Sequence, residues 1–124
     1  MTLLLYADRA KLTQVVTNLL NNAAKATKSG SVILDLEKDN NHAIVSIEDT
    51  GTGIDPMVKS KLFMKFVTSS SSGNGLELFI SKSIVEAHGG KILVFNNTNS
   101  NGATFTFTLP LLDGGHTQNV EVQL

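Results

Sequence analysis

The first part of the chain has the hydrophobic pattern of an amphipathic helix. From about Arg9 to Lys28, apolar residues return every three or four positions, and most residues between them are polar. Asp8 is placed to cap the start of this helix, and Ser29-Gly30 is placed to end it. The spacing therefore predicts one long helix with a single buried face. The buried positions are predicted to be Leu12, Val15, Val16, Leu19, Leu20, Ala23 and Ala24.

Four later segments are predicted to be strands, and the first two of them alternate apolar and polar residues with a period of two. The segments are SVILDLE (31–37), HAIVSIED (42–49), KILVFNN (91–97) and ATFTFTLP (103–110). Asp39-Asn40-Asn41 separates the first two segments and predicts a hairpin, while TNSNG predicts a turn between the last two.

Two further helices are predicted between the strand pairs. Asp55 as N-cap and Pro56 as first residue begin a short helix that runs to about Phe63. A helix from Leu76 to His88 follows and ends at Gly89-Gly90. This order predicts an α+β fold, a two-layer α/β sandwich in which helices cover one face of a mixed, largely antiparallel sheet.

Composition narrows the class of protein without indicating a function. The 124 residues, 41% of them hydrophobic, suit one domain with a single core. The net charge of -1 argues against nonspecific binding of nucleic acids or anionic membranes as the main function. The absence of cysteine excludes disulfides, thiol catalysis and cysteine–zinc sites. Without a long apolar run or a signal-peptide pattern, the chain is expected to be intracellular, or a soluble piece of a larger protein.

One face of the predicted first helix carries an unusual row of amides. Gln14, Asn18 and Asn22 are four residues apart, and Lys25 continues the row. Asparagine is a poor residue for a helix interior, because its amide competes for backbone hydrogen bonds. An ordinary solvated face is one interpretation of this row. The other is a set of amide oxygens and one ammonium group that face phosphates and Mg²⁺.

Two glycine-containing loops are further candidates. Asp49 ends a predicted strand, so a buried carboxylate there needs a donor, which an adenine amine could supply. Gly51 and Gly53 would let the backbone approach a flat ring, but a common Asx-type turn is the alternative. Gly73 and Gly75 precede a helix, as phosphate-binding loops do, although a flexible serine-rich linker explains them as well.

Taken in order, these segments resemble the catalytic ATP-binding domain of sensor histidine kinases, a member of the Bergerat-fold superfamily that includes DNA gyrase. The resemblance covers most of residues 8–110. NLLNNAAKAT is similar to the N box of that family, DTGTGID to the G1 box and KLFMKFVTS to the F box. GNGLELFISKSIVEAHGGKI is similar to the G2 region, and ATFTFTLP to the closing strand. The resemblance implies ATP and Mg²⁺ as ligands.

The resemblance also implies roles for individual residues. Asn22 would hold Mg²⁺ through its amide oxygen, with Asn18 and Lys25 near the metal or the phosphates. Asp49 would accept a hydrogen bond from the adenine amine and so select adenine over guanine. The implied nucleotide-binding residues are Asn18, Asn22, Lys25, Ala26, Asp49, Gly51, Gly53, Ile54, Gly73, Asn74, Gly75 and Leu76. The residues that would anchor a lid over the nucleotide are Phe63, Phe66 and Thr68.

In this superfamily, the residue one turn before the magnesium asparagine separates ATPases from kinases. ATPases carry a glutamate there, whereas Asn18 cannot take a proton near pH 7. The chain is therefore expected to present the γ-phosphate to an external histidine, since phosphoryl transfer depends mostly on positioning. None of the three histidines is followed by an acidic residue, as the family's phosphoacceptor usually is. No catalytic histidine is therefore expected within these 124 residues.

The resemblance also suggests how the chain is organised. Residues 1–112 are predicted to form the ATP-binding domain, with its first strand and the phosphoacceptor hairpin lying before Met1, and 113–124 a tail of unknown role. The expected partners are the dimerisation domain with its histidine, in the same full-length chain, and the receiver domain of a response regulator. Contact with nucleic acid or membrane is not expected, and the expected location is the cytoplasm.

Glu77 departs from the family pattern, because relatives usually have a third glycine there; Phe79 and Ala103 depart as well. A carboxylate in the first turn stabilises a helix but repels a nearby triphosphate. Two other functions stay open. One is a degenerate domain that acts through protein contacts alone, which a lack of nucleotide binding would favour. The other is a serine kinase of the anti-sigma-factor type, which acid-stable labelling of a partner would reveal.

Overall fold

A computed structural model of the protein describes residues 2–65, 75–98, 100–112 and 120–123. The elements are β1 (Thr2–Leu5), α1 (Arg9–Ala26), β2 (Val32–Asp39), β3 (His42–Asp49), α2 (Pro56–Lys59), α3 (Glu77–Ala87), β4 (Lys91–Asn96), β5 (Ala103–Pro110) and β6 (Val120–Gln123). Phe66, Thr68, Gly73 and Asn74 lie outside the described residues. Within the described ranges, no helix is long and apolar enough to cross a membrane.

Four strands form an antiparallel sheet in the order β2-β3-β5-β4. The hairpin between β2 and β3 turns at Asn40, whose φ of 53° lies in the left-handed region that asparagine tolerates. In the middle of the sheet, Ile47 lies opposite Phe105, and Phe105 lies opposite Val94. All three side chains are buried, so they mark the face of the sheet that carries the core.

α1 and α3 cover this face and complete a single core. The core residues that the helices and the sheet share include Leu12, Val15, Leu19, Ala23, Val45, Ile47, Ile84, Val85, Ile92, Val94, Phe105 and Phe107. Val16 and Leu20 are partly buried and pack against this core, whereas Ala24 is exposed. The predicted fold class, a two-layer sandwich with helices on one face of a largely antiparallel sheet, is confirmed.

α2 is shorter than the sequence predicts, because it ends at Lys59 rather than near Phe63. Asp55 caps its start as predicted. Beyond Lys59, the backbone continues in turns whose hydrogen bonds reach back three residues instead of four. These turns bring Leu62, which is 2% exposed, into the main core.

His88 joins the end of α3 to the start of α1. Its Nδ1 lies 2.8 Å from the carbonyl oxygen of Ile84, and its Nε2 lies 3.0 Å from the backbone nitrogen of Asp8. A carbonyl can only accept and a backbone N–H can only donate, so the ring is the neutral tautomer with its proton on Nδ1. Nδ1 therefore caps the end of α3, and Nε2 joins that end to the residue before α1.

β1 and β6 pair in a separate antiparallel ribbon, with Leu5 opposite Val120. The sequence predicts neither strand, since each has only four residues and the tail has no readable periodicity. Leu5 is buried and joins the main core, which attaches β1 to the rest of the domain.

Candidate functional site

Asp49 ends β3 with a side chain that is only 1% exposed, which is unusual for a carboxylate. Its Oδ1 accepts two backbone hydrogen bonds, from Gly51 N–H at 2.9 Å and from Ala103 N–H at 3.2 Å. The first of these bonds is the Asx-type turn that the sequence left open as the alternative. Within the described residues, no hydrogen bond reaches Oδ2. A carboxylate oxygen in such a buried side chain is stabilised by a donor, so this position suits a ligand with an N–H group.

The loop after Asp49 is held by α1 on one side and by β4 on the other. A Cβ at Gly51 would collide with the carbonyl oxygen of Ala26, so only glycine fits there. Asn96 accepts a hydrogen bond from Ile54 N–H at 2.8 Å and donates one to the Ile54 carbonyl at 2.9 Å. These contacts within the chain fix the shape of the loop. The contacts predicted between this loop, including Gly53, and a base stay predictions.

Asn18 joins the amide row of α1 to the start of α3. Its Nδ2 donates to the Glu77 carbonyl oxygen at 3.3 Å and to Ser81 Oγ at 3.2 Å. The Glu77 carbonyl can only accept, so the amide nitrogen must face α3, and Oδ1 is left for other partners. Asn22 is half-buried and Lys25 is exposed, and neither side chain makes a hydrogen bond or ion pair within the described part of the chain. Asn18 is thus an oriented amide, and the side chains of Asn22 and Lys25 are available to a ligand.

The start of α3 follows Gly75 and has Leu76 at its N-cap, which gives no side-chain cap. A helix start of this kind attracts anions through its backbone dipole. Glu77, the first residue of the helix, is half-buried and brings a negative charge to the same place. The remaining residues of the predicted phosphate loop, Gly73 and Asn74, lie outside the described residues. Their contacts with phosphate stay predictions.

Phe63 lies in the segment between α2 and residue 65 and packs edge-on against Phe105, with ring centroids 6.1 Å apart and planes at 84°. Lys82 Nζ lies 6.0 Å from the centre of the Phe63 ring, and Lys65 Nζ lies 5.0 Å from the centre of the Phe79 ring. Both cation–π pairs connect the segment with α3. In the first pair α3 supplies the cation and the segment the ring, and in the second pair these roles are exchanged. The second pair gives Phe79, one of the residues expected to depart from the family pattern, a partner of its own.

Several residues that the sequence did not single out hold the site together. Asn97 donates to the Asp49 backbone carbonyl at 2.9 Å and accepts from Thr104 Oγ1 at 2.7 Å. Ser81 is fully buried and accepts a hydrogen bond from Asn18. The only signal in the sequence is the excess of asparagine in NNTNSNG, and a turn explains that composition equally well.

The sequence that contains this site matches a known protein family. A sequence model described as histidine kinase-, DNA gyrase B- and HSP90-like ATPase matches residues 7–113. The chain belongs to this family. It is 40% identical over 114 residues to the sensor protein FixL of Bradyrhizobium diazoefficiens, and the match covers 89% of this chain but only 22% of FixL.

Solved structures of members of the family have the same fold. The mycobacterial sensor histidine kinase MprB is 34% identical with a TM-score of 0.79, over 86% of this chain and 74% of that chain. Full-length ShkA in complex with AMPPNP is 33% identical with a TM-score of 0.76, over 85% of this chain and 22% of that chain. The predicted resemblance to the ATP-binding domain of sensor histidine kinases is confirmed.

Proposed function

We propose that this chain binds ATP together with Mg²⁺ and presents the γ-phosphate to a histidine in a separate domain of a two-component sensor kinase. The observation that carries the proposal is the buried carboxylate of Asp49. Its Oδ1 is occupied by two backbone N–H groups, whereas Oδ2 meets no donor among the described residues. An acceptor fixed in this way favours a ligand with an N–H donor at a matching position.

The 6-amino group of adenine is such a donor. Guanine carries a carbonyl oxygen at the same ring position, and this oxygen would face a negatively charged acceptor. Asp49 would therefore both attract adenine and disfavour guanine. The AMPPNP in the structure of ShkA, a protein of the same fold, supports an adenine nucleotide as the ligand.

The polar row on α1 is suited to the phosphates. Mg²⁺ prefers oxygen ligands and takes few of them from the protein, so the unengaged amide of Asn22 fits it as a single protein ligand. The bound ion would supply charge neutralisation on the triphosphate. Lys25 would add an ammonium group, and Asn18, whose nitrogen is held by α3, would offer its amide oxygen.

The proposed role is to position ATP rather than to hydrolyse it. The α1 segment RAKLTQVVTNLLNNAAKA contains no acidic residue, so it offers no base that could activate water. Both ring nitrogens of His88 are engaged, Nδ1 in capping the end of α3 and Nε2 in the contact with Asp8 at the start of α1. We therefore assign the phosphoacceptor histidine to a dimerisation domain of the same full-length chain. A response regulator would receive the phosphoryl group, and the cytoplasm would supply the ATP.

Asp49→Asn tests the proposal most directly. The two backbone N–H groups should keep an oxygen in the place of Oδ1, which turns the new NH₂ group toward the ligand, donor against donor. We expect the affinity for ADP, measured by isothermal titration calorimetry, to fall about 100-fold, or ~2.7 kcal/mol. The thermal unfolding midpoint should change little, because the substitution preserves shape and both backbone hydrogen bonds.

Asp55→Asn is the matched control, because it removes the same charge from an exposed N-cap where asparagine serves equally well. Its affinity for ADP should equal that of the parent protein. A parent that binds no adenine nucleotide would refute the proposal and favour a domain that acts through protein contacts. If a supplied histidine hairpin is labelled from ATP, the label should be acid-labile; an acid-stable label would indicate a serine kinase.

A further inference from the structure

Asn97 is the most extensively hydrogen-bonded side chain around Asp49. Its Nδ2 donates to the Asp49 carbonyl at 2.9 Å and to the Asn101 carbonyl at 3.0 Å, and its Oδ1 accepts from Thr104 Oγ1 at 2.7 Å. Both backbone carbonyls can only accept, so the orientation of the amide is unambiguous. One side chain thus fastens the end of β3 to the loop between β4 and β5.

This fastening determines where the donor to the carboxylate lies. The backbone N–H of Asn97 also bonds to the Gly102 carbonyl, which closes the loop just before Ala103. A Cβ on Gly102 would collide with the Asp49 carbonyl oxygen, so the two backbones are in close contact there. The next N–H, that of Ala103, then reaches Asp49 Oδ1 at 3.2 Å in a buried hydrogen bond.

Loss of the Asn97 donors would release this arrangement. The Asp49 carbonyl would lose a side-chain donor, and the loop would no longer hold Ala103 N–H against Oδ1. The carboxylate would then keep only the bond from Gly51 N–H and could rotate about its Cβ–Cγ bond. A rotating carboxylate discriminates less sharply between a ring that presents a donor and a ring that presents an acceptor.

We propose that Asn97 is a positioning residue that sets the selectivity of the site for adenine over guanine, an inference that rests on the nucleotide binding proposed above. It acts without touching the base, through the loop that carries Ala103 N–H. The sequence does not predict this role, because it places Asn97 only at the end of a strand, just before a turn.

The test compares ADP with GDP without Mg²⁺, so that contacts to the base dominate the difference between the two ligands. Asn97→Asp keeps the shape of the side chain and the acceptor for Thr104, but it replaces the NH₂ group with an oxygen that faces two carbonyls. We expect the affinity for ADP to fall about 10-fold and that for GDP to change less than about 2-fold, so that the ADP to GDP ratio falls accordingly. Asn97→Ala removes the donors without adding charge and should lower the ratio in the same direction.

Thr104→Val is the matched control, since it removes the hydroxyl that bonds to Asn97 and leaves both amide donors in place. Its ratio of ADP to GDP affinity should stay within about 2-fold of the parent's.

The inference is overturned if the Asn97 variants keep the parent's ratio, or if they lose ADP and GDP affinity equally, which would be a purely structural effect. Circular dichroism confirms that each variant is folded. A parent protein that binds neither nucleotide refutes the proposed function itself. If the parent prefers ADP to GDP but the Asn97 variants keep that preference, only this inference is refuted.

Discussion

The two ends of the proposed nucleotide site are built in different ways. The base end consists of Asp49, Gly51, Asn97, Gly102 and Ala103. The phosphate end consists of Asn18, Asn22, Lys25 and the first turn of α3. Hydrogen bonds between chain segments close the base end. At the phosphate end, Asn18 alone of the three α1 side chains is hydrogen-bonded within the described residues.

This difference matches the chemistry that each end would perform. A flat, uncharged base offers few hydrogen-bonding groups, so its recognition depends on an acceptor that is fixed beforehand. Phosphates with Mg²⁺ bring strong charges and ready-made ligands, so a few adaptable protein groups suffice. The base end should therefore be sensitive to small changes in backbone geometry, and the phosphate end to changes in charge.

The largest effect is expected at Gly102, where a Cβ would strike the backbone of Asp49 and φ is +102°. Gly102→Ala should lower the free energy of unfolding by ~3 kcal/mol or more, through the strained φ and the collision together. It should also abolish ADP binding at concentrations that saturate the parent protein. Urea denaturation and calorimetry measure the two quantities.

Gly89→Ala is the control that separates these causes, because φ is +81° there but the nearest atom to an added Cβ is Pro110 Cγ at 3.5 Å. This variant should lose only about 1–2 kcal/mol and keep its affinity for ADP. Equal losses in the two variants would show that the base end is no more tightly packed than an ordinary turn.

An intermediate effect is expected at Asn22. Mg²⁺ should increase the affinity for an ATP analogue about 10-fold less in Asn22→Ala than in the parent, because the amide oxygen is lost as a ligand. Affinity measured in EDTA should stay close to that of the parent. Asn21→Ala, one residue earlier and exposed, changes helix propensity by the same amount and should leave the magnesium dependence intact. If both variants bind as the parent does with Mg²⁺, Asn22 is not the metal ligand.

The smallest effect is expected at Glu77. Glu77→Gln removes a negative charge from the phosphate end, so ADP affinity should rise by about 2- to 5-fold. The same change should lower the free energy of unfolding by ~0.3–1 kcal/mol, because a favourable charge is lost from the start of α3. Calorimetry at low and high salt measures the first quantity, and the gain should shrink as salt screens the charge.

Glu86→Gln is the control, because its effect on the free energy of unfolding should have the opposite sign. Glu86 is exposed near the end of α3, where a negative charge is unfavourable, so its removal should stabilise the fold slightly and leave nucleotide affinity unchanged. An ADP affinity that falls in Glu77→Gln would mean that Glu77 supports binding rather than opposing it.

How far the sequence predicts the structure depends on the range of the interactions. α1, the β2–β3 hairpin and α3 are encoded by local periodicity and caps, so the sequence predicts them with small errors at their ends. α2 ends early and the turns after it carry Leu62 into the core, a burial that depends on distant parts of the chain. The β1–β6 ribbon joins residues from opposite ends of the chain and has no local signal.

The candidate site divides in the same way. Asp49 and the amides of α1 stand out in the sequence, because their residue types are unusual for their positions. Asn97 and Ser81 do not, since their roles come from contacts across 48 and 63 positions of the chain. Asparagine in a turn and serine in a helix are ordinary residues until the fold shows what they contact.

The contacts between α1 and α3 have a mechanical consequence. The helices are attached at two places, through His88 at Asp8 and through Asn18 at the first turns of α3. These points are 10 positions apart on the α1 side, or ~15 Å along a helix. Two attachments at that separation oppose pivoting of one helix on the other about either point.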